Sequence, residues 1–205
     1  MRKKTSGSGK AGGSSMIYIV RHGQTELNSR RVLQGRSDHP LNRAGIAQAE
    51  EAALRLKDVS FSAVYSSPLK RAVQTAQILV PGRQPILDER LIEMDYGPYE
   101  EMDLSNPDPE VLAFFRDFVH RPAPAGMEPL EQVILRTGAF MEEHCRKQDH
   151  ILISTHAIAM KGILEYLTPE SGGRYWSTYI GNCAIYTLDY RDGAFTVPAP
   201  MGGSA

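Results

Sequence analysis

The sequence predicts a single α/β domain, a three-layer α/β/α sandwich with helices on both sides of a mostly parallel sheet, plus a small helical cap. Three observations carry this expectation. Ile17-Tyr18-Ile19-Val20 and Ile151-Leu152-Ile153-Ser154 are apolar runs without polar alternation, the pattern of strands covered on both faces. Helical patterns follow such strands, so strand and helix alternate along the chain. The Pro-punctuated stretch from Pro98 to Pro129 interrupts that alternation and reads as a cap.

The chain has 205 residues, enough for one domain with a sizeable core. A net charge of −1 gives no reason to invoke nucleic acid or an anionic membrane as partner. No apolar run approaches the roughly 20 residues of a membrane span. Two cysteines, Cys145 and Cys183, are too few for a disulfide framework and favour a reducing compartment, hence the cytoplasm. Residues 1–15 mix Arg2, Lys3, Lys4 and Lys10 with Gly and Ser, without the apolar region of a signal peptide. They are expected to be a disordered tail, native or appended. The folded domain is expected over residues 16–197, with the Pro/Gly-rich residues 198–205 frayed.

In chain order, the first strand runs into Arg21-His22-Gly23. In open α/β sheets ligands bind beyond the carboxyl ends of the strands, so this turn marks a site. Gly23 permits a sharp turn and close approach to a ligand. Arg21 offers a rigid fork of donors suited to phosphate, and His22 a ring nitrogen able to attack phosphorus. The polar loop from Glu26 to Leu41 is long for a plain connection and is expected to be functional. A helix capped by Asn42 is expected to bury Ile46, Ala49, Ala53 and Leu56. Ala63-Val64-Tyr65 is a second strand, and Ser67-Pro68 reads as a helix start that exposes Arg71 in the first turn, at an anion-favouring end.

Ile86-Leu87 is a short third strand. The cap holds one helix, about Glu110 to Val119, bearing Phe114, Phe115 and Phe118, and a longer helix spans roughly Leu130 to Lys147. The strand at Ile151 ends in His156, followed by a helix from Ala157 to Tyr166. Ala184 to Leu188 and Ala194 to Val197 complete the chain around an Asp192-Gly193 hairpin turn.

Three strand ends thus present Arg21-His22, Ser67 with Arg71, and His156, and a fourth segment presents Glu93. The combination resembles the histidine phosphatase superfamily, the phosphoglycerate-mutase-like proteins, and within it the phosphatase branch. The matching text is Arg21-His22-Gly23-Gln24-Thr25-Glu26-Leu27-Asn28, Gln34-Gly35 to Asp38, and Pro40-Leu41. It continues with Ser67-Pro68-Leu69-Lys70-Arg71-Ala72, Gln74-Thr75-Ala76, Leu91 with Glu93 and Gly97, Ser154-Thr155-His156-Ala157, and Asn182-Cys183. It covers Met16 to about Leu188.

The resemblance implies a phosphoglycerate-mutase-like fold and hydrolysis of a phosphate monoester through phospho-His22. Arg21, Arg71 and His156 would surround the phosphoryl oxygens, joined by Asn28, Gln34 and Gly35 as phosphate- or substrate-binding positions. His22 must be neutral to attack, and two nearby arginines favour that state. The Gly23 carbonyl would fix its tautomer. Glu93 would protonate the leaving oxygen and later activate water. No cofactor is implied. A metal site is the rival for two histidines and carboxylates, but no His-Glu-x-x-His, Asp-x-His or Cys pair is present and the arginines repel a cation, so no metal is expected.

The chain departs from the family pattern at Glu101, at Gly126-Met127-Glu128-Pro129, at Ala157-Ile158 and at Lys161, where arginine is frequent. These positions bear on the substrate rather than the chemistry. The expected partner is a small phosphorylated metabolite: a sugar phosphate, phosphoglycerate, a nucleotide or, as a larger alternative, a phosphoprotein. Monomer and homodimer are both compatible. The nearest alternative function is mutase-type phosphoryl transfer, disfavoured by the short cap. Another class is a non-catalytic phosphoryl-binding protein, which loss of His22, Arg71 or His156 would have signalled.

Overall fold

Unbroken apolar runs need cover on both faces, and here they receive it. In the computed structural model, which describes residues 16–146 and 150–202, strand β1 is Ile17–Arg21, followed by helices α1, Glu26–Ser29, and α2, Arg43–Leu56. Next come β2 (Ala63–Ser66), α3 (Lys70–Leu79) and β3 (Ile86–Leu87). The cap carries α4 (Pro109–Arg116) and leads into α5 (Leu130–His144). Then follow β4 (Ile151–Thr155), α6 (Ala157–Leu167) and α7 (Arg174–Ser177). The chain closes with β5 (Ile185–Leu188), β6 (Tyr190–Arg191), β7 (Ala194–Phe195) and β8 (Ala199–Pro200). The tail expected over residues 1–15 lies outside the described residues.

The main sheet has the order β3-β2-β4-β1-β5-β8. Strands β3, β2, β4 and β1 are parallel, while β5 and β8 add antiparallel at one edge. Successive side chains of a strand point to opposite faces. Ile17, Ile19, Ile151 and Ile153 accordingly pack with Phe140, Met141, Met160 and Ile163 of α5 and α6. Tyr18, Val20 and Leu152 pack with Ala49, Ala52, Leu56, Ala76 and Leu79 of α2 and α3. A third cluster joins the cap to the domain, with Phe114 and Val111 set against Met94, Leu130, Val133 and Trp176.

Register determines where the chemistry falls. Val20 pairs with Ser154, and Ser154 with Ser66, so three parallel strands end level. His22 N–H donates to the Thr155 carbonyl at 2.9 Å and Ser67 N–H to the Ser154 carbonyl at 3.0 Å, carrying the alignment one residue beyond.

Five expectations are corrected. On α2 the covered face is Gly45, Ala49, Ala52 and Leu56, while Ile46 is exposed. The helix lies so close that a Cβ on Gly45 would stand 2.0 Å from the Gln24 carbonyl oxygen, which leaves no room for a bulky contact residue there. Helix α3 starts at Lys70 rather than Ser67, because Ser67 Oγ accepts from Leu69 N–H at 3.3 Å and serves His156 instead. Its anion-favouring end is already taken: Lys70 N–H donates to Asp38 at 2.7 Å. The cap helix ends at Arg116, three residues short of Val119.

Finally, the tail expected to fray from residue 198 instead contributes β8, paired with β5 through Thr187 and Ala199. Proline is tolerated there because β8 is an edge strand. The Asp192-Gly193 turn forms as expected, both residues at positive φ (52° and 82°), but it joins β6 to β7 in a separate two-stranded ribbon.

Candidate active site

Arg21 ends β1 and His22 follows it, almost fully buried. His22 Nδ1 lies 2.6 Å from the Gly23 carbonyl and Nε2 lies 3.2 Å from Arg71 Nε. A carbonyl only accepts and a guanidinium N–H only donates. Nδ1 therefore carries the ring proton, and Nε2 presents its lone pair. Burial is the main force holding His22 well below its ordinary pKa, followed by the charges of Arg71 and Arg21. The expected effect of the arginines is there, but desolvation outweighs it.

Arg71 sits in the first turn of α3 but, against the exposure expected there, is completely buried, because its guanidinium turns inward to His22 and the Gly35 and Ser37 carbonyls. Its Nη1 donates to the Ser37 carbonyl at 2.8 Å and its Nη2 to the Gly35 carbonyl at 2.6 Å. Burial lowers its pKa to about 10, so it stays cationic at neutral pH. Arg21 Nη1 donates to the Ile180 carbonyl at 2.5 Å. Among the described residues, Arg21 Nε, Gln34 Nε2 and His156 Nδ1 of the expected site are buried without a protein hydrogen-bond partner. Such groups are rare and call for an explanation.

His156 is the N-cap residue of α6, and its Nε2 lies 2.7 Å from Ser67 Oγ. Its ring centroid is 5.1 Å from that of His22. Burial, with Arg71 as the leading charge, holds it too well below its ordinary pKa. Glu93 reaches the same helix from the segment after β3. Its carboxylate accepts from the N–H groups of Met94, Ile158 and Ala159 at 2.9, 3.2 and 3.0 Å. Three bonds, two of them from the first turn of α6, fix its orientation.

The remaining expected residues lie around this cluster. Asn28 belongs to a capping box with Thr25 and approaches Asn182 Nδ2 at 3.4 Å. Asn182 in turn donates to the His22 carbonyl at 3.0 Å. Gln34 Oε1 accepts from Thr25 Oγ1 at 2.6 Å. Gly35 contributes its carbonyl to Arg71, and a Cβ there would be 2.6 Å from Glu100 Oε2, the Met94 carbonyl oxygen and Tyr96 Cδ2. Among these three positions, no hydrogen bond joins a side chain to His22.

A cavity of about 370 Å³ adjoins this cluster through Arg21, Ala157 and Ile158. Leu33, Tyr96, Leu104, Phe115 and Phe118 make its apolar wall, and Tyr179 stands exposed beside it. Among the described residues, Arg21 and Lys161 are its only charged lining residues.

A family model for the histidine phosphatase superfamily (branch 1) matches residues 17–199. The chain belongs to that superfamily. Its curated relatives include the "Probable phosphoglycerate mutase GpmB" of Proteus mirabilis, 30% identical over 187 residues, covering 86% of this chain and 85% of the relative. Among solved structures, phosphoserine phosphatase from Entamoeba histolytica in complex with 3-phosphoglyceric acid matches with a TM-score of 0.78 at 26% identity. That match covers 93% of this chain and 97% of the other. Bacillus stearothermophilus YhfR matches with a TM-score of 0.80 at 29% identity, covering 94% and 98%. Superfamily and fold are those expected from the sequence.

In this superfamily member, the structure brings His22, Arg21, Arg71, His156 and Glu93 to one end of the sheet. Sequence reasoning assigned no role to three supports, although Thr75 and Asp38 stand in the matching text. Thr75 Oγ1 accepts from Gly23 N–H at 3.0 Å and donates to the Arg71 carbonyl at 2.7 Å, fixing the turn after His22 against Arg71. Glu100 accepts from Gly35, Arg36 and Ser37 N–H groups at 2.8, 3.3 and 3.1 Å, holding the loop that feeds carbonyls to Arg71. Asp38 caps α3. Thr75 is one helical turn from Arg71, a spacing that could have flagged it. The Glu100 contact spans more than sixty residues and had no local signal.

Proposed function

We propose that this chain hydrolyses phosphate monoesters through a phosphohistidine at Nε2 of His22. The observation that carries the reading is the ring itself: neutral, its proton committed to the Gly23 carbonyl, its lone pair beside Arg71. Around it, Arg21 Nε and His156 Nδ1 are buried polar atoms free to meet phosphoryl oxygens. Phosphoryl transfer asks mainly for such positioning and for stabilisation of charge on the equatorial oxygens.

In the first step Arg71 Nε–H turns from Nε2 to a phosphoryl oxygen, and Nε2 attacks phosphorus in line. The P–O ester bond breaks, and the departing oxygen takes the proton that Glu93 carries as a carboxylic acid beside the bound phosphate. In the second, Glu93 takes a proton from water, whose oxygen attacks phosphorus. The N–P bond breaks, phosphate leaves and His22 is restored. Asn28, Gln34 and Gly35 keep the phosphate- or substrate-binding places the sequence suggests, Gln34 through its Nε2, which like Arg21 Nε and His156 Nδ1 is buried without a protein hydrogen-bond partner among the described residues.

Hydrolysis is preferred to mutase transfer because the cap is short, with one eight-residue helix. Relatives carry both names: a mutase among curated proteins, a phosphoserine phosphatase among structures, crystallised with phosphoserine in one case and 3-phosphoglyceric acid in another. Small phosphorylated metabolites are accordingly the substrates to test. A phosphate-release screen over monoesters, with His22→Ala as control, tests the reading. Acid-labile, base-stable label on His22 after a rapid quench is the expected result; label on serine would overturn it.

A further inference from the structure

The cavity beside Arg21 has a composition that phosphate chemistry alone does not require. A dry cavity of 150 Å³ holds a benzene ring, so about 370 Å³ leaves space for a ring and substituents. Its wall is aromatic and aliphatic: Tyr96 from the segment after Glu93, Phe115 and Phe118 from the cap, Leu33 from the loop between α1 and α2. Phe115 and Phe118 sit with ring centroids 5.6 Å apart, the range of offset aromatic contacts. A sugar or glycerate body would leave its hydroxyls facing this wall without partners, which is costly.

Lys161 is the exception on that wall. Its Nζ donates to the Trp176 carbonyl at 2.7 Å and lies 5.5 Å from the Phe118 ring centroid. Among the described residues it makes no ion pair. Burial lowers its pKa to about 8, with Glu93 and Arg21 the charges that act on it, so it remains mostly cationic at pH 7. Glu93 is itself held by three backbone N–H groups. A half-buried ammonium with one carbonyl partner has donors left for an acceptor inside the cavity.

We propose that the alcohol portion of the substrate is an aromatic-sized apolar body bearing a second anionic group, the body seated against Phe115 and Phe118 and the anion on Lys161. This rests on the phosphatase reading above and deepens it by naming a substrate class.

The test uses three esters with leaving alcohols of similar basicity: 4-carboxybenzyl phosphate, benzyl phosphate and glycerol 3-phosphate. The expected kcat/KM falls in that order. Each step should be about tenfold or more, the size of one charge-assisted contact or a modest apolar burial. Lys161→Met should collapse the carboxybenzyl-to-benzyl ratio toward one, while Lys161→Arg keeps it. Equilibrium binding of benzylphosphonate and 4-carboxybenzylphosphonate, which need no turnover, should show the same preference. Glycerol 3-phosphate matching benzyl phosphate, or a carboxyl group that brings no gain, overturns the proposal while leaving the phosphatase reading intact. Phosphonate binding in the expected order without hydrolysis of any ester overturns the phosphatase reading and leaves the cavity's preference standing.

Discussion

Arg71 Nε lies 3.2 Å from Nε2 of His22, and the two terminal nitrogens of the same guanidinium are spent on the carbonyls of Ser37 and Gly35. One rigid fork thus ties His22 to the loop between α1 and α2. A lysine keeps the charge but cannot make three directed bonds at once. Arg71→Lys should lower kcat by roughly 10²–10³-fold, as removal of one preorganised donor does elsewhere. Single-turnover rates with a thermal melt as a folding control check this. A loss below threefold in a folded variant would show that point charge alone suffices.

Buried neutral histidines also leave a mark on stability. His22 and His156 titrate near 6.5 when unfolded, while burial keeps both unprotonated in the folded chain. Below about pH 6.5 the unfolded chain binds more protons, so stability falls as pH falls. The slope should reach at most roughly 1.4 kcal/mol per pH unit for each histidine. Urea unfolding at pH 7.5, 6.5 and 5.5 measures it. The contribution is fully present above 6.5, so a curve flat from 6.5 to 5.5 would falsify the neutral assignment.

Much of this centre could be read from the chain because its residues stand at the punctuation of regular elements. His22 and His156 each end an apolar run, and Arg71 lies in the first turn of a helix after a strand. Periodicity locates such ends without tertiary information. The cavity gave no such signal: Leu33, Tyr96, Leu104, Phe115, Lys161 and Tyr179 come from separate segments and meet only once the chain is folded. The edge strand β8 was missed for a related reason. Proline and glycine there say turn, and only the partner β5 makes the segment a strand.

Metal removal separates this site from a rival that shares its histidines. Among the described residues, no group of three His, Cys, Asp or Glu is arranged to hold an ion. In the proposed reaction Arg21 and Arg71 take the role that divalent cations play in other phosphoryl-transfer sites. Activity should survive exhaustive chelation, changing less than twofold. A large loss restored by a divalent ion would mean that the charge around the phosphoryl group has been assigned to the wrong partners.

The cap phenylalanines divide by burial. Phe114 is 1% exposed within the cluster that joins cap to domain, whereas Phe115 and Phe118 are half-buried and face the cavity. Phe114→Ala should cost about 3–5 kcal/mol of stability, the usual range for a fully buried phenylalanine. Phe115→Ala should cost clearly less and instead raise KM for aryl esters over small polar ones. Denaturant titration and a two-ester comparison distinguish them. Equal stability losses would mean that both rings serve only to pin the cap.

Glu93 offers the sharpest test of the chemistry. Its carboxylate is held by Met94, Ile158 and Ala159 N–H groups, so a glutamine must rearrange at least one of those bonds and a thermal melt has to accompany every rate. If Glu93 donates to the leaving oxygen, its worth depends on how basic that oxygen becomes. An alkoxide cannot depart unprotonated, whereas a nitrophenolate leaves with little help. Glu93→Gln should therefore slow phosphorylation of His22 by an alkyl phosphate by roughly 10²–10⁴-fold and by an activated aryl phosphate far less. Breakdown of phospho-His22 will slow as well, because the base for water is lost, so only burst or single-turnover rates isolate the first step. Equal losses for both leaving groups in that step would remove Glu93 from the acid role. Asp95 and Glu100 would be poor replacements: Asp95 accepts from Gly97 N–H and pairs with Arg36, and Glu100 is occupied by three loop N–H groups. The proton would then have to come from solvent, and the variant's residual rate would depend on buffer concentration.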